Sequence, residues 1–244
     1  MKSAPQTEQD QLWRHFQLCQ TEVFDLSYPR LRFFASKCKP GERVLNVGIG
    51  NAFLERLLLD RKIAIQTLDP SRMALNRAAK SLGKRFQGKC GYLENIPFPD
   101  HSFDRVICTE VLEHLTATQM QAGFIEIRRV LKPRGILNGS VPYRENLRSG
   151  MGICPRCSHR FHHWGHQQGG FEQRNMSAWL TRSGFRVLRC YPRTFVDFRR
   201  KSLRALLRAL GRRLLGLFGE PIVGPSLVFI ARSEPSLTQK KHYR

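Results

Sequence analysis

The sequence predicts an α/β fold with a doubly wound, mostly parallel sheet. From position 43 onward, short apolar runs alternate with amphipathic stretches of helical period. A glycine turn, Gly48-Ile49-Gly50, joins the first apolar run to the amphipathic stretch after it. A carboxylate, Asp69, closes the second apolar run. Parallel neighbours need crossover connections, usually helices, so this alternation is what a parallel sheet writes into a sequence.

The elements follow in order. Residues 10–24 read as a helix with Asp10 as candidate cap and Leu12, Phe16 and Val23 as apolar points, and a second short helix covers 28–37. After the turn signal Lys39-Pro40-Gly41, RVLNV is a strand, FLERLLLDR a helix and IAIQTLD a strand. SRMALNRAAKSL is a helix that Ser71 is placed to cap. DRVICTEV is a strand and MQAGFIEIRRVL a helix; after the breaker KPRG, GILNGSVP is a strand. Further on, MSAWLTRSGF reads as helix, and RVLRCYPRTF and PSLVFIARS as the last strands. One domain over 41–232 is the economical division, with a helical cap over 1–40 and a basic tail over 233–244.

Charge sets this chain apart from an average domain. Lys and Arg number 41 against 19 Asp and Glu, a formal +22 that attracts anionic partners without choosing among nucleic acid, acidic lipid and phosphorylated substrates. The N-terminus shows no apolar secretory core, and PIVGPSLVFIA is too short to span a bilayer. The expectation is a cytoplasmic protein, with peripheral membrane attachment left open. Five of the seven cysteines are scattered and read as reduced thiols; Cys154 and Cys157 form a local pair.

Glycines at a strand-to-helix turn let backbone approach a ligand, and the helix that follows offers free N–H groups. A carboxylate about twenty residues on is placed to accept from both hydroxyls of a ribose. Three further blocks add specificity: TLDPS, ENIPFPDHSFDRVICTEVLEHL and RRVLKPRGILNGSVP. Together with VLNVGIGNA, they make Arg43 to Val141 resemble the class I S-adenosylmethionine-dependent methyltransferases, nearest to the ubiquinone and menaquinone biosynthesis branch.

The resemblance implies a Rossmann-like, seven-stranded, mostly parallel sheet; the small Cys/His insertion after strand 5 is read from residues 150–171 themselves. The resemblance also implies S-adenosylmethionine as cofactor, with Gly48 and Gly50 along its methionine part and Asp69 on the ribose. Glu94 and Asn95 would lie beside the adenine, and Glu110 at the end of the fourth strand. Three positions depart from the pattern: Asn46 replaces the first-strand acid, Ala52 the third glycine, and Tyr92 an acid before the adenine contact. Asn46 stays in the expected binding set through its hydrogen-bonding capacity, without the charge.

Methyl transfer from a sulfonium is an in-line displacement, so positioning in a dry pocket does most of the work. A base is needed only for a protonated acceptor; His114 and Tyr143 are the candidates, each also readable as pocket wall. The Asn/Asp-Pro-Pro-aromatic run of amino-group methyltransferases is absent, since that position reads CTEVLEH. This turns the reading toward an oxygen or carbon acceptor on a small or lipid-linked molecule.

Residues 199–218, within a basic amphipathic stretch over 198–219, place Leu203, Leu206, Leu207, Leu210, Leu214, Leu217 and Phe218 on one stripe. Lys201, Arg204, Arg208 and Arg212 fall roughly opposite. Packing on the domain, an anionic membrane surface and nucleic acid are the three readings, and the lack of stacking aromatics disfavours the last.

Residues 150–171 carry the pattern C-x2-C-x4-H-x3-H at Cys154, Cys157, His162 and His166, a thiolate–imidazole set that suits a structural zinc ion. His159 and His163 are alternative ligands; a redox pair and a metal-free loop are the other readings. Phe161, Trp164 and Phe171 would line the acceptor side or form a small core beneath the metal. The leading function is methyl transfer to a small or lipid-linked acceptor. The alternatives are an RNA or protein methyltransferase, and a non-catalytic zinc module on a methyltransferase frame.

Overall fold

The computed structural model describes residue 11, residues 21–196 and residues 224–234. Most of the helix expected over 10–24, all of the basic stretch 198–219 and most of the tail therefore lie outside the described residues. Among the described residues no helix is long and apolar enough to cross a membrane.

Seven strands form the main sheet: β1 (Arg43–Val47), β2 (Ala64–Asp69), β3 (Gly88–Cys90), β4 (Phe103–Thr109), β5 (Leu131–Pro142), β8 (Phe185–Arg193) and β9 (Ser226–Ser233). Two short strands, β6 (Met151–Ile153) and β7 (Arg160–His162), pair antiparallel as a separate hairpin. The sheet order is β3-β2-β1-β4-β5-β9-β8. Pairing is parallel from β3 across to β5, and β9 runs antiparallel to both of its neighbours. The order reverses between β1 and β4, which opens a crevice at the carboxyl ends of those two strands.

Helices α1 (Tyr28–Ala35), α2 (Phe53–Asp60), α3 (Arg72–Leu82), α4 (Ala117–Val130) and α5 (Gln173–Arg182) supply the covering layers. Strand alternation sends side chains to two cores. Leu45, Val47, Val106 and Cys108 pack with Phe124 and Ile127 of α4 and Met176 and Leu180 of α5. Val44 and Ile107 pack the other way, against Phe34 of α1 and Leu54 and Leu58 of α2. Helices on both faces explain why these strands read as nearly continuous apolar runs.

Ser71 caps α3 as expected, its hydroxyl accepting from the Ala74 amide at 3.2 Å. Helix α4 begins three residues before its first apolar signal, because Thr116 and Gln119 form a reciprocal capping box. Strand β3 has no apolar signature, since its three residues are all exposed at the sheet edge.

Candidate active site

The crevice is built around the turn that leaves β1. Gly48 and Gly50 have φ of +86° and +49°, in the region that favours glycine. A Cβ on Gly48 would stand 3.0 Å from Val111 Cγ2, and one on Gly50 would touch the Phe24 ring at 3.4 Å. Glycine at both positions therefore lets Val111 and Phe24 pack directly on the backbone of the turn. Ala52 also takes a left-handed conformation, φ 54°, immediately before α2, so the third glycine of the related pattern is replaced at a small steric cost.

Asp69 ends β2 beside this turn and is 5% exposed. Its Oδ2 accepts from the Ile49 amide at 2.9 Å and its Oδ1 from the Ser71 amide at 2.8 Å. One carboxylate thus ties the glycine turn to the start of α3.

Asn46 sits one layer below. Its Nδ2 donates to Glu55 Oε1 at 2.7 Å and to the Gly48 carbonyl at 3.0 Å, and Thr67 Oγ1 also donates to Glu55 Oε1 at 2.7 Å. Burial pushes the Glu55 carboxyl up from its ordinary range. The acid absent from β1 thus has a counterpart on α2, a residue that sequence reasoning passed over as an ordinary helix position. The signal is the single acid in FLERLL, where Arg56 is the one other charged residue. Asn46 braces the glycine turn from beneath.

Across the crevice, Glu110 follows β4 with φ +53°, a strained conformation for a side chain of its size. Its Oε1 accepts from Ser140 Oγ at 2.8 Å, and Arg30 lies 3.7 Å from Oε2. Val111, the next residue, covers Gly48, which sets Glu110 at the lip of the glycine turn. Glu94 and Asn95 lie in the loop after β3, which is joined to Asp69 by the Gly91 amide donating to the Asp69 carbonyl. Glu94 Oε1 accepts from Gln119 of the α4 cap at 2.9 Å, so that oxygen is already engaged, whereas Asn95 is exposed. Tyr143 leaves β5 beside the main core, its amide donating to the Pro225 carbonyl.

The cysteine and histidine residues separate. In the hairpin His162 stands opposite Met151, while Cys154 follows Ile153 at the far end. Three residues of strand put the two ends about 10 Å apart. Neither group of metal-capable side chains gathered by the described residues includes a cysteine: one is Glu113, His114 and His166, the other Glu145, His162 and His166. The four-ligand set read from the spacing is therefore not assembled. Backbone amides of Cys157 and Arg156, with the Cys157 thiol, hold the Cys154 thiol below its ordinary range at the hairpin tip.

The histidines instead reach the turn after β4. Gln167 and Gln168 amides donate to the Glu113 carbonyl at 2.8 and 3.0 Å, and Gln168 Nε2 donates to the Leu115 carbonyl. The His114 and His166 rings meet edge to face at 4.7 Å, and His166 stacks on His162 at 4.8 Å. Burial, then the neighbouring His166, pushes His114 down to about 3, so its ring is neutral. Phe171 joins the main core, but Phe161 and Trp164 stay 42% and 38% exposed, so they build no core beneath the hairpin.

Residues 45–138 match the family described as a methyltransferase domain. A sterol 24-C-methyltransferase of Gibberella zeae is 33% identical over 124 residues, covering 47% of this chain and 32% of that protein. A demethylmenaquinone methyltransferase of Tropheryma whipplei is 37% identical over 100 residues, 40% of each chain. The chain thus aligns with less than half the length of these curated relatives. In fold, it is similar to the 1,6-didemethyltoxoflavin-N1-methyltransferase of Burkholderia thailandensis, solved with its substrate and S-adenosylhomocysteine. The TM-score is 0.66 at 13% identity, covering 96% of this chain and 94% of that one. The sheet order and the glycine turn braced by Asp69 give the chain a fold similar to that of S-adenosylmethionine-dependent methyltransferases, and its residues 45–138 match the methyltransferase domain family.

Proposed function

We propose that this protein transfers a methyl group from S-adenosylmethionine to a small or lipid-linked acceptor. The observation that carries the reading is Asp69, buried at the end of β2 beside the switch point and holding the Ile49 and Ser71 amides at the glycine turn. Gly48 and Gly50 leave room for the methionine part, and Asp69 would accept from the ribose hydroxyls. The loop at Glu94 and Asn95 would border the adenine. Asn46 braces the turn through its Nδ2, given to Glu55 and Gly48, and its buried Oδ1, which has no hydrogen-bond partner, is the atom that would accept from the cofactor's ammonium group. Glu110 is the carboxylate on the cofactor's side of β4.

When bound, the cofactor supplies an activated methyl on a sulfonium. The residues described here bind, orient and exclude water, which is the larger part of catalysis for an in-line transfer. Tyr143, at the exit of β5, and His114, after β4, flank the acceptor side. The residues from 144 to 170 would wall it, joined to the sheet by the Arg144 amide donating to the Phe171 carbonyl. A lipid-linked acceptor agrees with the sterol and menaquinone chemistry of the two relatives, and the basic leucine stripe over 199–218 would bring the enzyme to an anionic surface.

Calorimetric titration with S-adenosylhomocysteine tests the cofactor site; wild-type binding that Asp69→Ala abolishes is expected, and no heat at millimolar ligand refutes the reading. Labelled cofactor incubated with cell extract tests the acceptor. Label is expected in lipid or small metabolites, and label in RNA or protein overturns the acceptor class. Binding to anionic vesicles, lost when Leu206, Leu210 and Leu214 become Glu, tests the surface; vesicle binding that survives those changes refutes it.

A further inference from the structure

We propose that Glu113, His114 and His166 form a binding site for a divalent first-row transition-metal ion where the β4 exit turn meets the histidine segment. Two imidazoles and one carboxylate are a donor set that zinc and ferrous iron accept, with positions left open for water or an acceptor oxygen. One ligand atom from each of the three residues lies within 4.8 Å of the others. Around a tetrahedral ion with bonds of 2.0–2.1 Å the donors stand about 3.4 Å apart. Closure therefore asks the donor separations to shorten by about 1.4 Å at most.

Hydrogen bonds on the other ring nitrogens set the donors. His166 Nδ1 lies 2.6 Å from Glu145 Oε2, and His114 Nδ1 lies 3.3 Å from the Gly165 carbonyl. With the carbonyl and the carboxylate oxygen accepting, both Nδ1 atoms carry the proton and each Nε2 carries a lone pair. A carboxylate or a backbone carbonyl on the second nitrogen is the usual outer partner of a metal-ligating histidine. His162 is wired the opposite way. Its Nδ1 accepts from the Trp164 and His166 amides at 3.4 and 3.3 Å, which puts its proton on Nε2. That excludes His162 as a donor and favours the set with His114 over the one with Glu145.

The carboxylate supplies an independent sign. Glu113 is 1% exposed, and its Oε2 is buried with no hydrogen-bond partner. An orphaned buried carboxylate oxygen is costly, and a cation beside it removes the cost. The Gln167 and Gln168 amides hold the Glu113 carbonyl, so the segment carrying His166 is already fastened over this oxygen. An ion here would complete that attachment.

This goes beyond methyl transfer, and its test needs no cofactor. Full-length protein is stripped with chelator and titrated with Co2+ as the probe ion. Uptake of one equivalent is expected, with visible d–d absorption and no thiolate-to-metal charge-transfer band. Affinity should fall at least tenfold in His166→Ala and in Glu113→Gln and stay unchanged in the double variant Cys154→Ser/Cys157→Ser. Glu145→Gln, which touches only the outer nitrogen of His166, should weaken binding by about 10- to 100-fold in a protein of wild-type circular dichroism. That variant decides the matter if the ligand changes disturb folding. Absence of stoichiometric uptake, a thiolate band lost with the cysteines, or uptake indifferent to His166, Glu113 and Glu145 would each overturn the proposal.

Discussion

Asp69→Asn separates the two duties assigned to one carboxylate. In the native turn Oδ2 accepts from Ile49 and Oδ1 from Ser71, at 2.9 and 2.8 Å. An asparagine keeps one carbonyl oxygen and turns an NH2 toward the other amide, so one charge-assisted bond is lost. Such a bond contributes about 1.5–3 kcal/mol. For a domain of this size each kcal/mol moves Tm by roughly 2–4 °C, so the variant should melt about 3–12 °C lower. The ribose loses its charged acceptor as well, and a similar 1.5–3 kcal/mol weakens S-adenosylhomocysteine by about 10- to 150-fold. Fluorimetric melting and calorimetric titration read the two effects separately. A folded variant with wild-type affinity refutes the ribose contact, and an unchanged Tm refutes the brace.

Three further substitutions probe the frame. Gly139→Ala would drive a Cβ into the Phe229 ring and to 2.6 Å from the Cys108 carbonyl. Overpacking of this kind costs about 1–3 kcal/mol or more, and an unchanged denaturant midpoint would contradict the pairing of β5 with β9. Thr116→Ala removes the α4 capping box and should cost about 1 kcal/mol by chemical denaturation. Glu42→Gln removes the charge and one of the two acceptor oxygens, bonded at 2.8 and 2.9 Å, that Glu42 offers the buried Arg105 guanidinium, at about 2–3 kcal/mol given partial exposure of the glutamate.

The same pair sets an acid limit. Burial raises the Glu42 carboxyl, but the Arg105 hydrogen bond, the Lys39 amide and the Arg105 charge together outweigh it and hold the group below its ordinary value. A depressed folded pKa means that the unfolded chain binds more protons, so this contribution is complete above the ordinary value and lost as pH falls through the folded one. Melting temperature should drop steeply below about pH 4.5, the ordinary carboxyl value, and less steeply in Glu42→Gln. Parallel pH profiles for the two proteins would refute the assignment. Asp104, depressed alongside Lys132 and the Arg43 amide, keeps part of the slope in both.

Much of this architecture is legible in the residue order because it rests on local signals. Val44, Leu45 and Val47 mark a strand covered on both faces, and Ser71 marks a helix start. Gly48 and Gly50 mark a turn whose φ values other residues adopt only with strain. Strand β3 was not legible, since an exposed edge strand of three residues has no apolar side chain to announce it. Glu55 was missed because its meaning lies in Asn46 and Thr67, residues from two different strands that meet it in the interior.

Spacing and backbone pairing give different ligand groupings for the cysteine and histidine segment, for a related reason. Spacing counts residues along a thread, whereas pairing of Met151 with His162 and Ile153 with Arg160 holds this thread open. Donors eight residues apart, which a compact knuckle would close, end up at opposite ends of a rigid hairpin. The tip keeps two thiols, too few to close a tetrahedral shell alone. The base gains what it lacks from elsewhere in the chain, His114 and Glu113 from the turn after β4 and Glu145 from beyond β5. Which imidazole can then ligate is decided by the partner of its second nitrogen. That partner is a carboxylate for His166, a carbonyl for His114 and backbone amides for His162, and only the first two leave a lone pair on Nε2. Histidine count and spacing are alike for the three, so the distinction exists only once the backbone around them is in place.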